Sequence, residues 1–205
     1  MQEIAAKTKR IYCAKETVLF RQGQESRKIY FIHTGYVLIH KVDFQGNSGL
    51  VDLYGPGSWF GPGLGGNSQD IEAIAKIGCE LEVTFPENLN TLMLSLSQTP
   101  EDLIEHLANR ESLLQQRIFQ HITAPLPVRL ASLLSQLFYF RGQPCAHGHE
   151  LDVRLSQSEL AAMAGGSRQT VSQLLNRWKQ EGVIDYTRQH ICLLNKNALK
   201  DLAQG

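Results

Sequence analysis

The stretch LSQSELAAMAGGSRQTVSQLLNRWKQEG, from Leu155 to Gly182, constrains this chain more than any other part of it. Ser156-Gln157-Ser158-Glu159 has the spacing of a capping box, in which the serine hydroxyl accepts a backbone N–H of the first turn and the glutamate reaches back to the serine amide. A short helix ending near Ala164 is predicted. Gly165-Gly166 then frees the backbone for a sharp turn, and Ser167 stands where it caps a second helix from Arg168 to about Glu181. In that helix Val171, Leu174, Leu175 and Trp178 fall at i, i+3, i+4 and i+7 and make one buried face. The predicted local fold is two helices joined by a three-residue turn.

The other face of the second helix carries Gln169, Ser172, Gln173 and Asn176, with Arg168 in the first turn able to reach outward. Arginine donates two bonds to guanine, and glutamine pairs with adenine in the same bidentate way. Each good pair contributes about 1–3 kcal/mol of discrimination. Base reading in a major groove is therefore expected of Arg168, Gln169, Ser172 and Gln173. Ser156, Gln157, Ser158, Ser167 and Thr170 are better placed for phosphates, which fix register without reading sequence. Val183 to Tyr186 and His190 to Leu194 are predicted as strands about a tight turn, a wing with Arg188 at its tip for a further phosphate. Double-stranded DNA is the expected partner.

Lys+Arg and Asp+Glu are both 20 in 205 residues, so the positive charge that DNA requires must be local. The length allows two modest domains. From Ile11 to about Met93 short apolar runs at 18–20, 29–32, 36–39 and 49–54 alternate with glycine-bearing turns, the pattern of an antiparallel β domain. Thr99-Pro100-Glu101-Asp102 then supplies a hydroxyl cap, a proline at the first helical position and acids in the first turn. A long helix is predicted from there, with Leu103, Ile104, Leu107, Leu114, Ile118 and Ile122 close to a heptad seam. The prolines of Ala124-Pro125-Leu126-Pro127 end it, and a further helix fits Val128 to Phe140, stopped by Gly142. The expected class is α+β: a β domain over 1–98, a helix over 99–124 and a helix-turn-helix domain over 125–205.

No apolar run approaches the roughly 20 residues that span a bilayer, so no membrane partner is expected. The N-terminus lacks a cationic start followed by an apolar stretch, and Cys13, Cys79, Cys145 and Cys192 follow no framework of paired spacings. A reduced, cytoplasmic protein is expected.

With these residues in hand, the chain resembles the cyclic-AMP receptor and Fnr family of bacterial regulators over nearly its whole length. The resemblance rests on LSQSELAAMAGGSRQTVSQLL, on the Gly23 to Val37 segment and on GPGSWFG at 55–61. It implies a cyclic-nucleotide-binding-like β-roll, a homodimer zipped along the long helix, a winged helix-turn-helix on a near-palindromic operator, and contact with RNA polymerase. It also exposes departures. Relatives that bind cyclic nucleotide carry a glutamate for the ribose and an Arg-Ser or Arg-Thr pair for the phosphate. The corresponding stretch from Gly61 has Pro62 and Gly63 near the first position and Gln69-Asp70 at the second. An aspartate repels a phosphate, and Gln115 to Phe119 offer no hydroxyl for the base. Weak or no cyclic-AMP binding is expected, with another effector or none, and no cofactor. Gln169 and Gln173 stand where many relatives have glutamate and a second arginine, so the operator should differ.

Gly61 to Gly66 fits G-x-G-x-x-G as a string, but no helix opens at it, and a loop is expected. Cys145, His147 and His149 cluster in a predicted loop; a metal or redox switch there is an alternative reading, although zinc usually takes four ligands. His33 and His121 are read as packed or capping residues rather than haem ligands, and Cys13 stands apart from any iron–sulfur ligand set. No G-x-S-x-G or similar nucleophile pattern points to an enzyme. The remaining alternative is a cyclic-nucleotide or other small-molecule sensor whose winged helix contacts protein.

Overall fold

The computed structural model describes residues 8–46, 48–65, 70–187 and 190–205. The chain divides into two units, Met1–Leu113 and Leu114–Gly205. In the first, apolar runs and glycine turns produce β1 (Lys9–Cys13), β2 (Thr17–Phe20), β3 (Ile29–Thr34), β4 (Val37–Val42), β5 (Ser48–Tyr54), β6 (Trp59–Phe60), β7 (Glu72–Ala75) and β8 (Cys79–Thr84). They pair antiparallel as two four-stranded sheets, β1-β8-β3-β6 and β2-β7-β4-β5. Phe20, Tyr30, Ile32, Val37, Ile39, Phe60, Ala73 and Leu81 fill the space between the sheets. The result is a β-roll. At Gly35 the turn from β3 to β4 has φ +78°, and a Cβ there would lie 2.6 Å from the Cα of Cys79.

The β pattern stops earlier than the sequence suggests. Leu89–Ser95 is a helix, α1, rather than a continuation of strand to Met93. Pro86 opens a single 3-10 turn before it, and Leu89, Leu92, Met93 and Leu96 fall at helical spacing against Ile29, Phe31 and Trp59. The long helix α2 then runs Pro100–Thr123. Thr99 caps it, its Oγ1 accepting the Asp102 amide at 3.3 Å while the Asp102 carboxylate accepts the Thr99 amide at 2.7 Å.

The second unit holds the end of α2, then α3 (Leu126–Arg141), β9 (Gly142–Cys145), β10 (Gly148–Leu151), α4 (Gln157–Ala164), α5 (Arg168–Gln180), β11 (Ile184–Tyr186), β12 (Ile191–Leu193) and α6 (Lys196–Gln204). The four strands form one sheet in the order β11-β12-β10-β9. Two expectations need correction. The segment around Cys145 to His149 is a β-hairpin rather than a loop, because Gln143 and Glu150 pair in register and β10 pairs on its other edge with β12. The helix after the prolines begins at Leu126 because Pro127 occupies its first turn, where a missing N–H costs nothing. Helix α6 was not foreseen; Asn195 caps it through the Ala198 amide at 3.0 Å, and Leu199 is buried.

Candidate nucleic-acid interface

Ser156 and Glu159 close the capping box in both directions, Glu159 N donating to Ser156 Oγ at 3.2 Å and Ser156 N to Glu159 Oε2 at 2.6 Å. This fixes the start of α4. The chain turns at Gly165, whose φ of +67° and ψ of 47° are left-handed, and Ser167 caps α5 by accepting the Thr170 amide at 3.0 Å. Both serine hydroxyls therefore act first as helix caps. Ser156 keeps its own hydrogen to donate outward, while Ser167 and Thr170 share one across 2.8 Å, leaving the pair a single outward donor.

Helix α5 is divided as its residues dictate. Val171, Leu174, Leu175 and Trp178 are buried against α4 and the sheet, whereas Arg168, Gln169, Thr170, Gln173 and Asn176 are exposed and Ser172 is half-buried at the flank. Ser158 is exposed and Gln157 half-buried on α4. Among the described residues, the predicted base-reading and phosphate residues are all exposed or half-buried. Gln69 and Arg188 lie outside the described residues.

The C-terminal end of α5 is tied to the wing. Lys179 bridges to Asp185 at 2.7 Å and donates to the Tyr186 carbonyl at 3.0 Å, and Arg177 pairs with Glu181 at 3.4 Å. Cations at this end suit the helix dipole. The hydrogen bond from Lys179 holds the Asp185 carboxyl below the usual range. Sequence reasoning did not single out Arg129, although the half-buried arginine of α3 organises the turn. Its Nε donates to the Ala164 carbonyl, Nη2 to Gly165 and Nη1 to Ala124, each at 2.8 Å. Only the fold could reveal this, since Arg129 lies 35 residues from Ala164.

In the roll, Gly61 and Gly63, two of the positions expected to line an effector site, are packed closely. A Cβ at Gly61 would meet the Lys28 carbonyl at 2.6 Å, and one at Gly63 would meet the Arg27 carbonyl at 2.3 Å. Pro62, Gly63 and Leu64 form a single 3-10 turn beside Arg27 and Lys28, while Asp70 is exposed. Nearby, Tyr30, Phe60 and Tyr54 stack in succession at 5.0 and 5.2 Å. Burial pushes the Tyr30 hydroxyl up to about 12 and raises that of Tyr54. Arg110 of α2 lies over the Tyr54 ring at 3.7 Å, pairs with Asp52 and reaches the Leu53 carbonyl at 3.4 Å. This aromatic and ionic cluster was not foreseen because its members come from four separate elements.

Along α2, Ile104, Leu107, Leu114, Ile118 and Ile122 are exposed, Ile122 to 78%. Leu103 departs from the predicted seam and packs with the Trp59 and Leu92 cluster of the roll. Phe119, 65% exposed, adds to the apolar surface. Cys145, His147 and His149 are not brought together: His149 is in register with Pro144 and Leu193 and so projects to the face of β10 opposite the Gly148–Cys145 pair. Among the described residues no three His, Cys, Asp or Glu side chains group as a metal site. His33 pairs with Glu82 at 3.2 Å, and His121 bonds the Arg117 carbonyl at 2.8 Å. No helix among the described residues is long and apolar enough to cross a membrane.

A β-roll, a long helix and a winged helix-turn-helix with an amide-rich outer face define a transcription regulator that joins a cyclic-nucleotide-binding type of domain to a DNA-binding one. Residues 10–95 match the cyclic nucleotide-binding domain, and residues 128–202 match the Crp-like helix-turn-helix domain. Over 203 residues the chain is 31% identical to the transcriptional regulator SdrP of Thermus thermophilus, covering 93% of this chain and 96% of that one. It is 29% identical over 172 residues to the cyclic AMP receptor protein of the same organism, covering 81% and 74%. A solved transcriptional regulator of the CRP/FNR family, also from Thermus thermophilus, matches with a TM-score of 0.76 at 28% identity, over 97% of this chain and 99% of that one. The chain belongs to the CRP/FNR family of transcription regulators, and it is not an enzyme.

Proposed function

We propose that the chain acts as a homodimer that sets two copies of α5 into successive major grooves of a near-palindromic DNA site, and does so without responding to cyclic AMP. The observation that carries this reading is the division of α5, with Arg168, Gln169 and Gln173 exposed over a buried Val171, Leu174, Leu175 and Trp178 face. Ser156, Gln157, Ser158, Ser167 and Thr170 surround that face as phosphate contacts. The exposed stripe from Ile104 to Ile122 supports pairing of two long helices, with the roll over 1–98 preceding the helix in the chain and the DNA-binding domain over 125–205 following it. In helix-turn-helix dimers the half-sites lie about 34–36 Å apart. As a cytoplasmic regulator it would also touch RNA polymerase.

Independence from cyclic AMP is supported by the close packing of Gly61 and Gly63, by the exposed carboxylate of Asp70, and by the engagement of Arg110 with Asp52 and Tyr54. A cyclic phosphate needs a cation and room, and this cluster supplies an already paired cation. The effector is another ligand or none.

Selection from random duplexes with the purified protein should enrich a two-fold symmetric sequence. Featureless binding with a steep salt dependence would remove the specific role. Calorimetry with cyclic AMP should show no binding heat, and DNA affinity should be unchanged by it. Small-molecule binding in a protein with no DNA affinity would favour the sensor module instead.

A further inference from the structure

A cleft of about 230 Å³, counting its open mouth, lies between the end of α2, α3 and α4. Its lining is polar where the meeting of three helices would ordinarily be apolar. Arg117, Gln120 and His121 fall at i, i+3 and i+4 on α2, and Arg129, Leu133 and Gln136 at i, i+4 and i+7 on α3, so each set lies along one side of its helix. Met163 and Ala164 of α4 complete an apolar wall with Leu133. All of these residues belong to the second unit.

Two guanidinium groups and an imidazole line the cleft, and among the described residues no carboxylate does. The bonds from Arg129 to the Ala124, Ala164 and Gly165 carbonyls fix its plane and use three of its five N–H groups, leaving one on each terminal nitrogen. Those carbonyls are dipoles and do not cancel its charge. Arg117 is half-buried, and burial lowers its pKa from the usual arginine value because the charged form has lost water. With five donors it can hold a further oxygen beside the bonds it already makes. His121 donates from Nδ1 to the Arg117 carbonyl at 2.8 Å, which sets its ring against the turn. A Cβ built on Gly165 would lie 2.7 Å from His121 Nε2 and 3.7 Å from Arg129 Nη2, so both nitrogens converge on the same glycine.

We propose that this cleft binds a small oxyanion, a phosphate or a short-chain carboxylate, between Arg117 and Arg129, and that the bound anion tightens DNA binding by steadying the turn between α4 and α5. A planar guanidinium offers paired N–H groups that match two oxygens of such an anion, and a partly desolvated cation attracts it more strongly than an exposed one. Gln120 and Gln136 add neutral amide donors, while Leu133 and Met163 accommodate a short aliphatic chain. Sites for larger organic ligands run to about 300–1,000 Å³, so a nucleotide is too large for this one.

Like charges beside one cleft repel, and an anion set between them turns repulsion into attraction and joins α2 to α3. Arg129 carries the effect onward, since it also holds the Ala164 and Gly165 carbonyls of the turn that positions α5. A turn with fewer conformations gives up less freedom when α5 enters a groove, so anion and DNA each favour the binding of the other.

The effect on DNA rests on the regulator reading above, whereas the anion site does not. The full chain is titrated by calorimetry with inorganic phosphate and, separately, with butyrate, at constant ionic strength with chloride as the balancing anion. Saturable binding is expected, with phosphate alone assigning a phosphorylated ligand and butyrate alone a carboxylate. Arg117→Gln should weaken it about tenfold, and so should Gln136→Glu, which keeps both arginines and sets a carboxylate in the cleft; denaturant midpoints check that both variants fold. No saturable binding, or binding that both variants retain in full, as for an anion on the exposed Arg168 face, would overturn the site. Fluorescence anisotropy on the selected duplex at the same ionic strength should show DNA affinity rising about fivefold or more with the anion bound, and no rise in Gln136→Glu. Unchanged or weaker DNA binding by a protein that holds the anion would overturn the regulatory effect. Failure to bind any DNA, with or without the anion, would instead remove the regulator reading and leave the anion site standing.

Discussion

The Arg129 guanidinium donates to the Gly165 carbonyl at 2.8 Å, joining α3 to the turn between the two helices of the DNA-reading motif. Its other two bonds reach the Ala164 carbonyl and the Ala124 carbonyl just past α2. One cation thus meets the carbonyl ends of two helices, where it also suits their dipoles.

Arg129→Ala should therefore loosen the turn as well as destabilise the unit. Hydrogen bonds to a charged group are worth about 1.5–3 kcal/mol each and are not additive, so a net loss of about 2–3 kcal/mol is expected. Arg129→Lys should recover only part, since an ammonium lacks the planar fork that spans three carbonyls. Denaturant unfolding together with anisotropy on the selected DNA checks both; full recovery by lysine would argue against the bridging role.

Arg168 and Ser156 should fail differently. Arg168→Ala is expected to relax preference at one base pair per half-site, losing about 1–3 kcal/mol of discrimination. Ser156→Ala should weaken all duplexes by a similar factor and also reduce stability by about 1 kcal/mol, because the hydroxyl caps α4. Competition binding against single-base operator variants separates the two, and equal losses at every position for Arg168→Ala would contradict base reading.

Asp52 and Arg110 are both mostly buried, with side chains 15% and 17% exposed. Replacing Asp52 by asparagine leaves the guanidinium without its carboxylate and should cost about 3 kcal/mol, at the low end for breaking a buried pair. Asp52→Leu combined with Arg110→Met should recover most of that stability. If the double variant were as unstable as the single one, lost packing rather than charge would be the cause. Neither change should create cyclic-AMP binding, which calorimetry would test.

His106 gives the roll a predictable pH response. Its Nε2 donates to the Trp59 carbonyl at 3.3 Å, and burial lowers its pKa below the usual 6.5. The unfolded chain therefore takes up a proton first as pH falls. This contribution to stability is complete above about pH 6.5 and is lost progressively below it. Denaturant midpoints between neutral and mildly acidic pH should fall more steeply for the unsubstituted protein than for His106→Gln. Parallel curves would assign the acid sensitivity elsewhere.

Local signals foretold the elements whose stability is local. The capping box at Ser156, the left-handed turn at Gly165 and the apolar spacing of Val171, Leu174, Leu175 and Trp178 each act over one or two turns of chain, and the structure places all three as read. The cap at Thr99 and the prolines at 125 and 127 likewise bound α2 and α3. Where short apolar segments depend on distant partners, the reading failed. The β pattern read as far as about Met93 gives way at Leu89 to a helix packed on Phe31 and Trp59, and Cys145 to His149, read as a loop, became part of a hairpin once β12 offered β10 an edge.

From its own order of residues the chain dictated two helices about a glycine turn, an amide-rich face opposite a tryptophan-bearing one, and a long helix started by a capped proline. Backbone geometry and side-chain period act between near neighbours, so they are written in one dimension. Tertiary packing alone decided that Arg129 would hold the turn and that Arg110 would lie between Asp52 and Tyr54. Those contacts join residues tens of positions apart, whose attraction is felt only once the sheets and helices have already folded them together.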